Sequence, residues 1–305
     1  MMKLIEAVPN ISEGRDRGKI EAIVAQVRAV HGVALLDVDP DPDHNRTVIT
    51  FAGPPEAVEE AALRLTARAV ELIDLNKHHG EHPRMGAVDV LPFIPIRGAT
   101  MAECVELAKR VGKRISEEFK IPVYLYAEAA TRAERQDLAN IRKGEFEGFP
   151  AKILEPDWAP DFGERRVHPT AGVMAVGARP PLIAYNVNLG TSDLEIAKRI
   201  AQAVRGSSGG LRYVKALAFE LKERGLVQVS MNMTDYRKTP LHRAFELIKR
   251  EAERYGVPVV GSEIVGLVPQ EALNMAAEYY LQLEGFRPEM ILEERLAQAM
   301  KDVGA

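Results

Sequence analysis

Apolar residues recur along the chain at two alternating spacings, which predicts strands and helices in a regular order. In the first half, runs typical of strands fall at 4–8, 33–39, 46–51 and 88–96. Apolar residues at helical spacing predict helices over 16–30 and 56–75. Because Pro92 and Pro95 interrupt the last strand, we expect it to be irregular or to lie at a sheet edge.

The same order of elements recurs in the second half. After a helix at 101–119, a strand at 123–126 and a helix at 132–141, strands are predicted at 182–187, 213–218, 226–231 and 257–261, and helices at 192–204, 241–255 and 270–283. Each half reads β-α-β-β-α-β, which is the ferredoxin-like order. We therefore predict an α+β fold, a tandem duplication of two ferredoxin-like (βαββαβ) subdomains at 1–179 and 180–305, with a ligand cleft between them.

The stretch between the two halves is unusual. Residues 146–179 are rich in proline, glycine and aromatic residues and include the only tryptophan, Trp158. A long, weakly structured stretch inside a compact chain is usually a functional loop or a linker. A plain linker is usually polar, so we favour a loop that lines a ligand cleft.

Composition narrows the class of protein. The 305 residues are 46% hydrophobic and 28% charged, which is typical of a soluble globular protein and excludes a mainly disordered one. The net charge of −4 gives no sign of a nucleic-acid-binding surface. No apolar run reaches the roughly 18 residues of a membrane span, and the N-terminus does not resemble a signal peptide. A single cysteine, Cys104, excludes an intrachain disulfide framework, so we expect a cytoplasmic protein with Cys104 in its core.

The densest group of reactive side chains is the segment 77–86 (KHHGEHPRMG), here called the histidine loop. Gly80 and Pro83 prevent the helix that the familiar two-histidine zinc motif requires, so no metal is expected. An alternative interpretation of the histidine loop is a polar turn that is exposed to solvent and has no chemical role. A general acid/base is narrowly favoured, because an imidazole with a pKa of about 6.5 both accepts and donates a proton near neutrality.

Acidic residues end the predicted strand 33–39. Asp37 and Asp39 alternate along it and therefore point to the same side. Either could orient an imidazole, and a pair of acids also suits Mg²⁺ or Ca²⁺. Asp41 and Asp43 are expected in an exposed turn.

Other segments carry weaker indications. Residues 6–14 lead from a strand into a helix, and this arrangement either presents backbone N–H groups to a ligand or forms an Asn/Ser helix cap. Arg46, Arg84 and Arg97 are candidate partners for carboxylates. The chain has no phosphate-binding glycine motif and no nucleophile elbow.

Several blocks together resemble the glutamate formimidoyltransferase (formiminotransferase) family. They are 6–14 (EAVPNISEG), 35–39 (LLDVD), 45–48 (NRTV), 80–86 (GEHPRMG), 157–163 (DWAPDFG), 177–179 (GAR) and 259–269 (VVGSEIVGLVP). In animals this unit is similar to the N-terminal part of a bifunctional enzyme with a C-terminal cyclodeaminase. The chain stops at residue 305, so we expect a stand-alone form that works with a separate cyclodeaminase.

The resemblance implies transfer of a formimino group from N-formimino-L-glutamate to N5 of tetrahydrofolate, the co-substrate, in histidine degradation. It implies His82 as the general acid/base and Asp39 as its helper, with Asp37 as the alternative helper. It places the folate segment at residues 163–172, where the more charged 164–166 departs from the family pattern. The folate segment consists of Gly163, Glu164, Arg165, Arg166, Val167, His168, Pro169, Thr170, Ala171 and Gly172.

Two rival functions remain open at this point. One keeps the folate site but transfers a formyl group between 5-formyltetrahydrofolate and glutamate, or uses a formimino donor other than formiminoglutamate. The other is a non-catalytic folate-binding module or a metal-dependent hydrolase built on the histidine loop. In each case the partners are small molecules, with no nucleic acid and no membrane, and a homodimer is left open.

Overall fold

A computed structural model describes residues 3–80 and 82–303. The chain divides into two compact units, Met1–Pro180 and Pro181–Ala305, each built from helices packed on a β-sheet, so the fold is α+β. Among the described residues, no helix is both long and apolar enough to cross a membrane.

The first unit contains seven strands and five α-helices among its described residues. In chain order they are β1 (Leu4–Ala7), β2 (Asn10–Ile11), α1 (Arg17–Arg28), β3 (Ala34–Asp41), β4 (Arg46–Gly53), α2 (Pro55–Leu72), β5 (Val88–Arg97), α3 (Met101–Phe119), β6 (Val123–Ala127), α4 (Leu138–Arg142), α5 (Glu145–Lys152) and β7 (Met174–Ala178). Local sequence explains the helix starts: the side chain of Asp16 caps α1, and Thr100 and Glu103 form a capping box on α3.

The seven strands form one mixed sheet. β4 pairs antiparallel with β3 on one side and with β1 and β2 on the other. β1 and β2 also pair antiparallel with β5, and β7 runs parallel to both β5 and β6. α1, α2 and α3 cover one face with a core that includes Ile23, Phe51 and Leu65. On the other face a smaller cluster joins Tyr124, Phe149 and Ile153.

The strand predicted at 88–96 is irregular, as one of the two alternatives required, because the pairing of β5 with β1 and with β2 contains a register shift in each case. The other alternative is wrong, because β5 is an interior strand. Pro92 lies between the pairs Ala7–Phe93 and Asn10–Val90, where the partner of β5 changes from β1 to β2. Proline has no backbone N–H, and at this position neither β1 nor β2 needs a donor from β5. The carbonyl of Pro92 accepts from the backbone N–H of Val8 at 3.3 Å. Pro95 lies beyond the last residue of β5 that pairs with β7, so it breaks no hydrogen bond on that side.

The stretch 146–179 is more regular than expected. It contains most of α5 and all of β7. Gly148 and Pro150 lie inside α5 and weaken the helical pattern, although Phe149 between them is fully buried. β7 is a short run of buried residues between two parallel neighbours, and such strands show no alternation of polar and apolar residues. Cys104 is buried, as expected.

The second unit contains four strands and four α-helices among its described residues. They are β8 (Ile183–Leu189), α6 (Leu194–Val204), β9 (Val214–Leu221), β10 (Leu226–Met233), α7 (Leu241–Glu253), β11 (Val259–Val265), α8 (Gln270–Leu281) and α9 (Leu292–Val303). The strands form an antiparallel sheet in the order β11-β8-β10-β9. One face packs Val187, Val229 and their neighbours against α6 and α7. The opposite face carries exposed Leu217 and Phe219.

Candidate active site

His82 and Arg46 are in direct contact. Arg46 is the first residue of β4, and its Nη1 donates to Nε2 of His82 over 3.1 Å. Because a guanidinium offers only donors, Nε2 must be the acceptor, and the proton of the neutral ring is assigned to Nδ1. The predicted catalytic histidine therefore lies at the start of β4, beside a cation.

The surroundings of His82 keep its ring neutral. Burial first, and then the charges of Arg46 and Arg142, lower the pKa of His82 to about 3. Burial and the charge of Arg142 also lower the pKa of Arg46, to about 10, so Arg46 stays cationic at neutral pH. Nε of Arg46 is buried and has no hydrogen-bond partner among the described residues. An anion that enters the site can therefore gain a donor that no protein group uses.

A buried ion pair supports the site. Asp89 on β5 is 2% exposed, and its Oδ2 accepts from Nε of Arg142 at 2.9 Å and also from Nη2. Its Oδ1 accepts from the backbone N–H of Met85 at 2.9 Å. One carboxylate thus fixes the end of the histidine loop and holds Arg142 close enough to act on His82.

The predicted helper, Asp39, lies on the same sheet face as Arg46. Arg46 pairs with Asp41 in the β3–β4 ladder, and Asp39 pairs with Val48 two residues further along, roughly 7 Å away. Asp39 is exposed, and its pKa is raised first by partial burial and then by the charges of Asp37 and Asp41. Within 3–80 and 82–303, neither Asp37 nor Asp39 makes a hydrogen bond or ion pair with His82.

A second histidine lies beside the first. The ring centroid of His44 is 6.0 Å from that of His82, with the planes at 88°. Nδ1 of His44 is hydrogen-bonded to Oδ2 of Asp41, and Oδ1 of Asp41 accepts from the backbone N–H groups of Asp43 and His44 at 2.9 Å. Asp41 therefore closes the β3–β4 turn and orients His44, in addition to facing Arg46.

Arg84 builds the histidine loop and is not free to bind a substrate carboxylate. Its Nη1 and Nη2 donate to the two carboxylate oxygens of Glu147 at 2.7 and 2.6 Å, and Nη1 also lies 3.3 Å from Glu145. Its Nε donates to Nδ1 of His78 at 3.3 Å, while Nε2 of His78 faces the carbonyl oxygen of Asn45 at 2.7 Å. Burial is the main cause that lowers the pKa of His78, so this ring is a neutral structural link. Arg97, the third candidate arginine, is exposed at the end of β5.

Asn45 is a residue whose structural role the sequence reasoning missed. It adopts the left-handed conformation with φ of 49°. Its Oδ1 accepts from the backbone N–H of Gly14 at 2.9 Å, and its Nδ2 donates to the carbonyl of His79 at 3.0 Å. Asn45 thus joins the β3–β4 turn to two other segments of the site. The signal that could have found it is an asparagine after a run of turn residues, since Asn tolerates this conformation.

The segment 6–14 has a structural use in these contacts. Ser12 Oγ donates to the carbonyl of Gly86 at 2.7 Å, so it ties the segment to the histidine loop. Glu13 Oε1 accepts from the backbone N–H groups of Arg15 and Asp16 at 3.0 Å. Of the two alternatives for this segment, the Asn/Ser helix cap is wrong, because the N-cap of α1 is Asp16.

The folate segment is fastened to both ends of the histidine loop. The carbonyls of Thr170 and Ala171 accept from the backbone N–H groups of Leu75 and Ala87, each at 2.9 Å. Gly172 has φ of +71°, and a Cβ there would lie 2.1 Å from the carbonyl oxygen of Met85. The structure thus brings two predicted site segments together, although they are about 90 positions apart in sequence.

A groove runs along the folate segment. Its volume is about 460 Å³, within the range of small-molecule sites. The folate segment supplies one wall with residues 165–169, and α5 supplies the other with Phe146, Glu147 and Pro150. The groove is lined by Asn76, Phe146, Glu147, Pro150, Ile153, Leu154, Arg165, Arg166, Val167, His168 and Pro169.

The members of the folate segment have different surroundings. Arg165 donates from Nε to the carbonyl of Ile153 at 3.1 Å and from Nη2 to the carbonyl of Leu154, so it caps α5. Nδ1 of His168 accepts from the backbone N–H of Ala171 at 3.0 Å, which closes the turn from Pro169 to Thr170. Gly163 has φ of +97°, and Glu164 is exposed.

The arrangement suits proton transfer beside an anion. His82 supplies a neutral imidazole, and Arg46 supplies a cation with a spare donor. Within the described ranges, no group of three His, Cys, Asp or Glu side chains is placed to hold a metal ion. Glu81, the acid of the histidine loop, lies outside the described residues.

Known proteins resemble this chain over nearly its full length. Residues 4–179 match the family model of the formiminotransferase domain, N-terminal subdomain, and residues 184–304 match that of the formiminotransferase domain. A glutamate formimidoyltransferase of Streptococcus pyogenes is 54% identical over 97% of this chain and 99% of its own. One of Thermoplasma acidophilum is 53% identical over 98% and 99%. A formimidoyltransferase-cyclodeaminase of Dictyostelium discoideum is 49% identical over 97% of this chain and 56% of its own.

Proposed function

Since this chain belongs to the formiminotransferase family, we propose that it transfers the formimino group of N-formimino-L-glutamate to N5 of tetrahydrofolate. The products are 5-formiminotetrahydrofolate and L-glutamate, a step of histidine degradation. The observation that carries the proposal is the neutral His82 imidazole, hydrogen-bonded to Arg46 and joined through the histidine loop to the folate segment.

His82 would move the one proton that the reaction has to relocate. N5 of the folate attacks the formimino carbon, and the carbon–nitrogen bond to glutamate then breaks. His82 takes the proton from N5 and returns it to the departing amine of glutamate. No covalent bond to the protein is required, which agrees with the buried position of Cys104.

The charge of a bound substrate would change the pKa of His82. A pKa of about 3 makes His82 a weak base, and an efficient base has a pKa near the working pH. Both substrates carry carboxylates, and a carboxylate that pairs with the unused Nε of Arg46 would offset the cation next to His82. Binding would then raise the pKa of His82 and make its Nε2 available.

The folate would lie in the groove between the folate segment and α5. The groove has the volume of a small-molecule site, and residues 165–169 form one of its walls. Arg166 is exposed in its wall and is our candidate for a contact with the folate carboxylates. Asp39 is proposed as a helper that acts on bound substrate across the sheet face, beside Asp41 and Arg46.

We also propose that the two units are ferredoxin-like copies. In the second unit the strand order β11-β8-β10-β9 corresponds to 4-1-3-2. In the first unit β5, β1, β4 and β3 are paired in the same order and are all antiparallel. β2, β6 and β7 would then be additions to the first copy.

A spectroscopic assay for 5-formiminotetrahydrofolate tests the activity. We expect turnover with the wild type and with His31→Ala, an exposed histidine that serves as the control. His82→Ala should abolish turnover but keep the affinity for folate within about tenfold, or roughly 1.4 kcal/mol. A large loss of folate affinity would make His82 a ligand contact. Turnover only with 5-formyltetrahydrofolate and glutamate would replace formimino transfer with formyl transfer.

A further inference from the structure

Four polar side chains gather on one face of the sheet in the second unit. Asn186 and Asn188 lie on the central strand β8, where Asn186 pairs with Glu263 of β11 and Asn188 pairs with Gln228 of β10. We call these four residues the amide cluster. They are far in sequence from the histidine loop and from the folate segment, and nothing in the proposed reaction uses them so far.

The hydrophobic core does not explain the amide cluster. Tyr185, Val187 and Leu189 alternate with the two asparagines along β8 and pack into the core. The amide cluster therefore occupies the opposite face of the same strand. Asn186, Asn188 and Gln228 are nevertheless buried, with 8, 4 and 6% of their surface exposed.

The hydrogen bonds of the amide cluster converge on one oxygen. Nε2 of Gln228 donates to Oδ1 of Asn188 at 3.0 Å and to Oε1 of Glu263 at 2.9 Å. Nδ2 of Asn186 donates to the same Oε1 at 3.1 Å. These bonds fix the orientation of the side chains, because the N–H sides of Asn186 and Gln228 are turned toward an oxygen.

Two acceptors of the amide cluster are left over. Oδ1 of Asn186 is buried and has no hydrogen-bond partner in the part of the chain that the structure describes. Glu263 is exposed, and its Oε2 takes part in none of the hydrogen bonds between described residues. Buried polar atoms almost always have a partner, so the oriented and unpartnered Oδ1 of Asn186 indicates a missing ligand with N–H donors, for which the exposed Oε2 of Glu263 is a second acceptor.

We propose that the amide cluster binds a planar amidine unit, N–C–N, through N–H donors to Oδ1 of Asn186 and Oε2 of Glu263. This proposal rests on the proposed function, because both of its substrates contain such a unit. One is the formimino group of the donor, and the other is the 2-aminopyrimidinone edge of the pterin. A carboxylate beside an amide oxygen suits either group, since both present adjacent N–H donors.

The surroundings of the amide cluster fit a flat ligand. Leu217 and Phe219 of β9 lie on the same sheet face, in register with Ser230 and Gln228. Their exposed fractions are 60 and 42%, so their apolar surface is available beside the polar groups. Small-molecule sites commonly combine a few convergent polar atoms with such apolar walls.

Calorimetric binding to the full-length chain tests the proposal with two probes, pteroate and N-formimino-L-glutamate. We expect Asn186→Ala to weaken one of them about tenfold, the effect of losing a buried hydrogen-bond acceptor. Weaker pteroate binding assigns the amide cluster to the pterin, and weaker N-formimino-L-glutamate binding assigns it to the formimino group. Asn232→Ala, an exposed amide on the same face of β10, is the matched control and should stay within about twofold.

Glu263→Gln gives a second variant in case Asn186→Ala folds poorly. Its amide nitrogen would replace Oε2, so an acceptor becomes a donor, and the same probe should weaken at least about fivefold. Because both probes report binding, the result does not depend on turnover. A wild type that fails to catalyse transfer would overturn the proposed function alone. The amide-cluster proposal would be overturned if both variants bound both probes with affinities within about twofold of the wild type. It would also be overturned if the wild type bound neither probe.

Discussion

Nη1 of Arg46 lies 3.1 Å from Nε2 of His82, so the cation nearest to the proposed base also occupies the lone pair of that base. In this arrangement His82 is neutral and cannot take up a proton at Nε2 until Arg46 moves or finds another partner. The unused Nε of Arg46 offers a place for that partner. The contact therefore links substrate binding to the availability of the base.

Arg46→Gln should move the acidic limb of the pH profile. Removing the charge and the donated hydrogen bond raises the pKa of His82 toward its ordinary value of about 6.5. Because His82 must be neutral to act as a base, the acidic limb of kcat/KM should shift upward by about one pH unit or more. The control is Arg64→Gln, which removes an exposed arginine paired with Glu60 on α2. An unshifted limb in Arg46→Gln would show that Arg46 does not set the basicity of His82.

The partly buried, neutral His82 should also make the first unit sensitive to acid. Its folded-state pKa of about 3 lies below the unfolded value of about 6.5, so the unfolded chain binds more protons between these pH values. Stability is therefore lost as the pH falls below 6.5, by about 2 kcal/mol at pH 5 from this residue alone.

His82→Gln should remove that loss. The free energy of unfolding should differ between pH 8 and pH 5 by about 2 kcal/mol less in His82→Gln than in the wild type. Urea titrations followed by the fluorescence of Trp158, the only tryptophan, report on the first unit. His31→Gln, at an exposed position, should behave like the wild type. Equal pH dependence in His82→Gln and the wild type would mean that His82 is not held neutral by the fold.

The sequence predicts local elements well, but it does not predict the contacts that join them. The spacing of Ile20, Ile23, Val24 and Val27 is enough to place α1, because helical periodicity is a local property. Asp89 and Arg142 are 53 positions apart, and neither stands in a motif, so no local pattern indicates their ion pair. His82 could be singled out by its unusual neighbours in sequence, whereas its low pKa depends on these distant charges.

Proline and glycine account for the other failures. Pro92 is normally a sign of an edge strand, but here the change of partner from β1 to β2 leaves its missing N–H without consequence. The change of partner arises because β1 ends at Ala7 and β2 begins at Asn10, so Val8 and Pro9 separate the two strands that pair with β5. In α5, the buried contacts of Phe149 outweigh the poor helical propensity of Gly148 and Pro150.

Asp39→Asn and Asp37→Asn together test which acid assists the reaction. Asp39 is closer along β3 to Asp41 and Arg46, so Asp39→Asn should lower kcat by about tenfold to a hundredfold, the effect of losing a charge that acts on the transition state. Asp37→Asn should lower kcat less than about threefold. The measurement is kcat at saturating concentrations of both substrates. A larger effect of Asp37→Asn would assign the helper role to Asp37.

Gly172→Ala should both destabilise the first unit and weaken folate binding. At φ of +71° an alanine costs about 1–2 kcal/mol, and its Cβ would also lie 2.1 Å from the carbonyl oxygen of Met85, which is backbone and cannot turn away. We expect a total loss of about 3 kcal/mol or more in urea titrations followed by Trp158 fluorescence. The affinity for folate should fall by at least about tenfold, because Gly172 exchanges two backbone hydrogen bonds with His168 inside the folate segment.

Gly144→Ala separates the clash from the backbone strain. Gly144 lies in the same unit at φ of +93°, but the nearest atom to its added Cβ is 3.5 Å away, which is an ordinary contact. Its substitution should therefore cost only the strain, about 1–2 kcal/mol, and should leave folate affinity within about twofold. If the two variants were equally stable and bound folate equally well, the close packing of the folate segment on the histidine loop would not be needed for the site. A selective loss in Gly172→Ala would show that this packing holds the folate segment in its binding conformation.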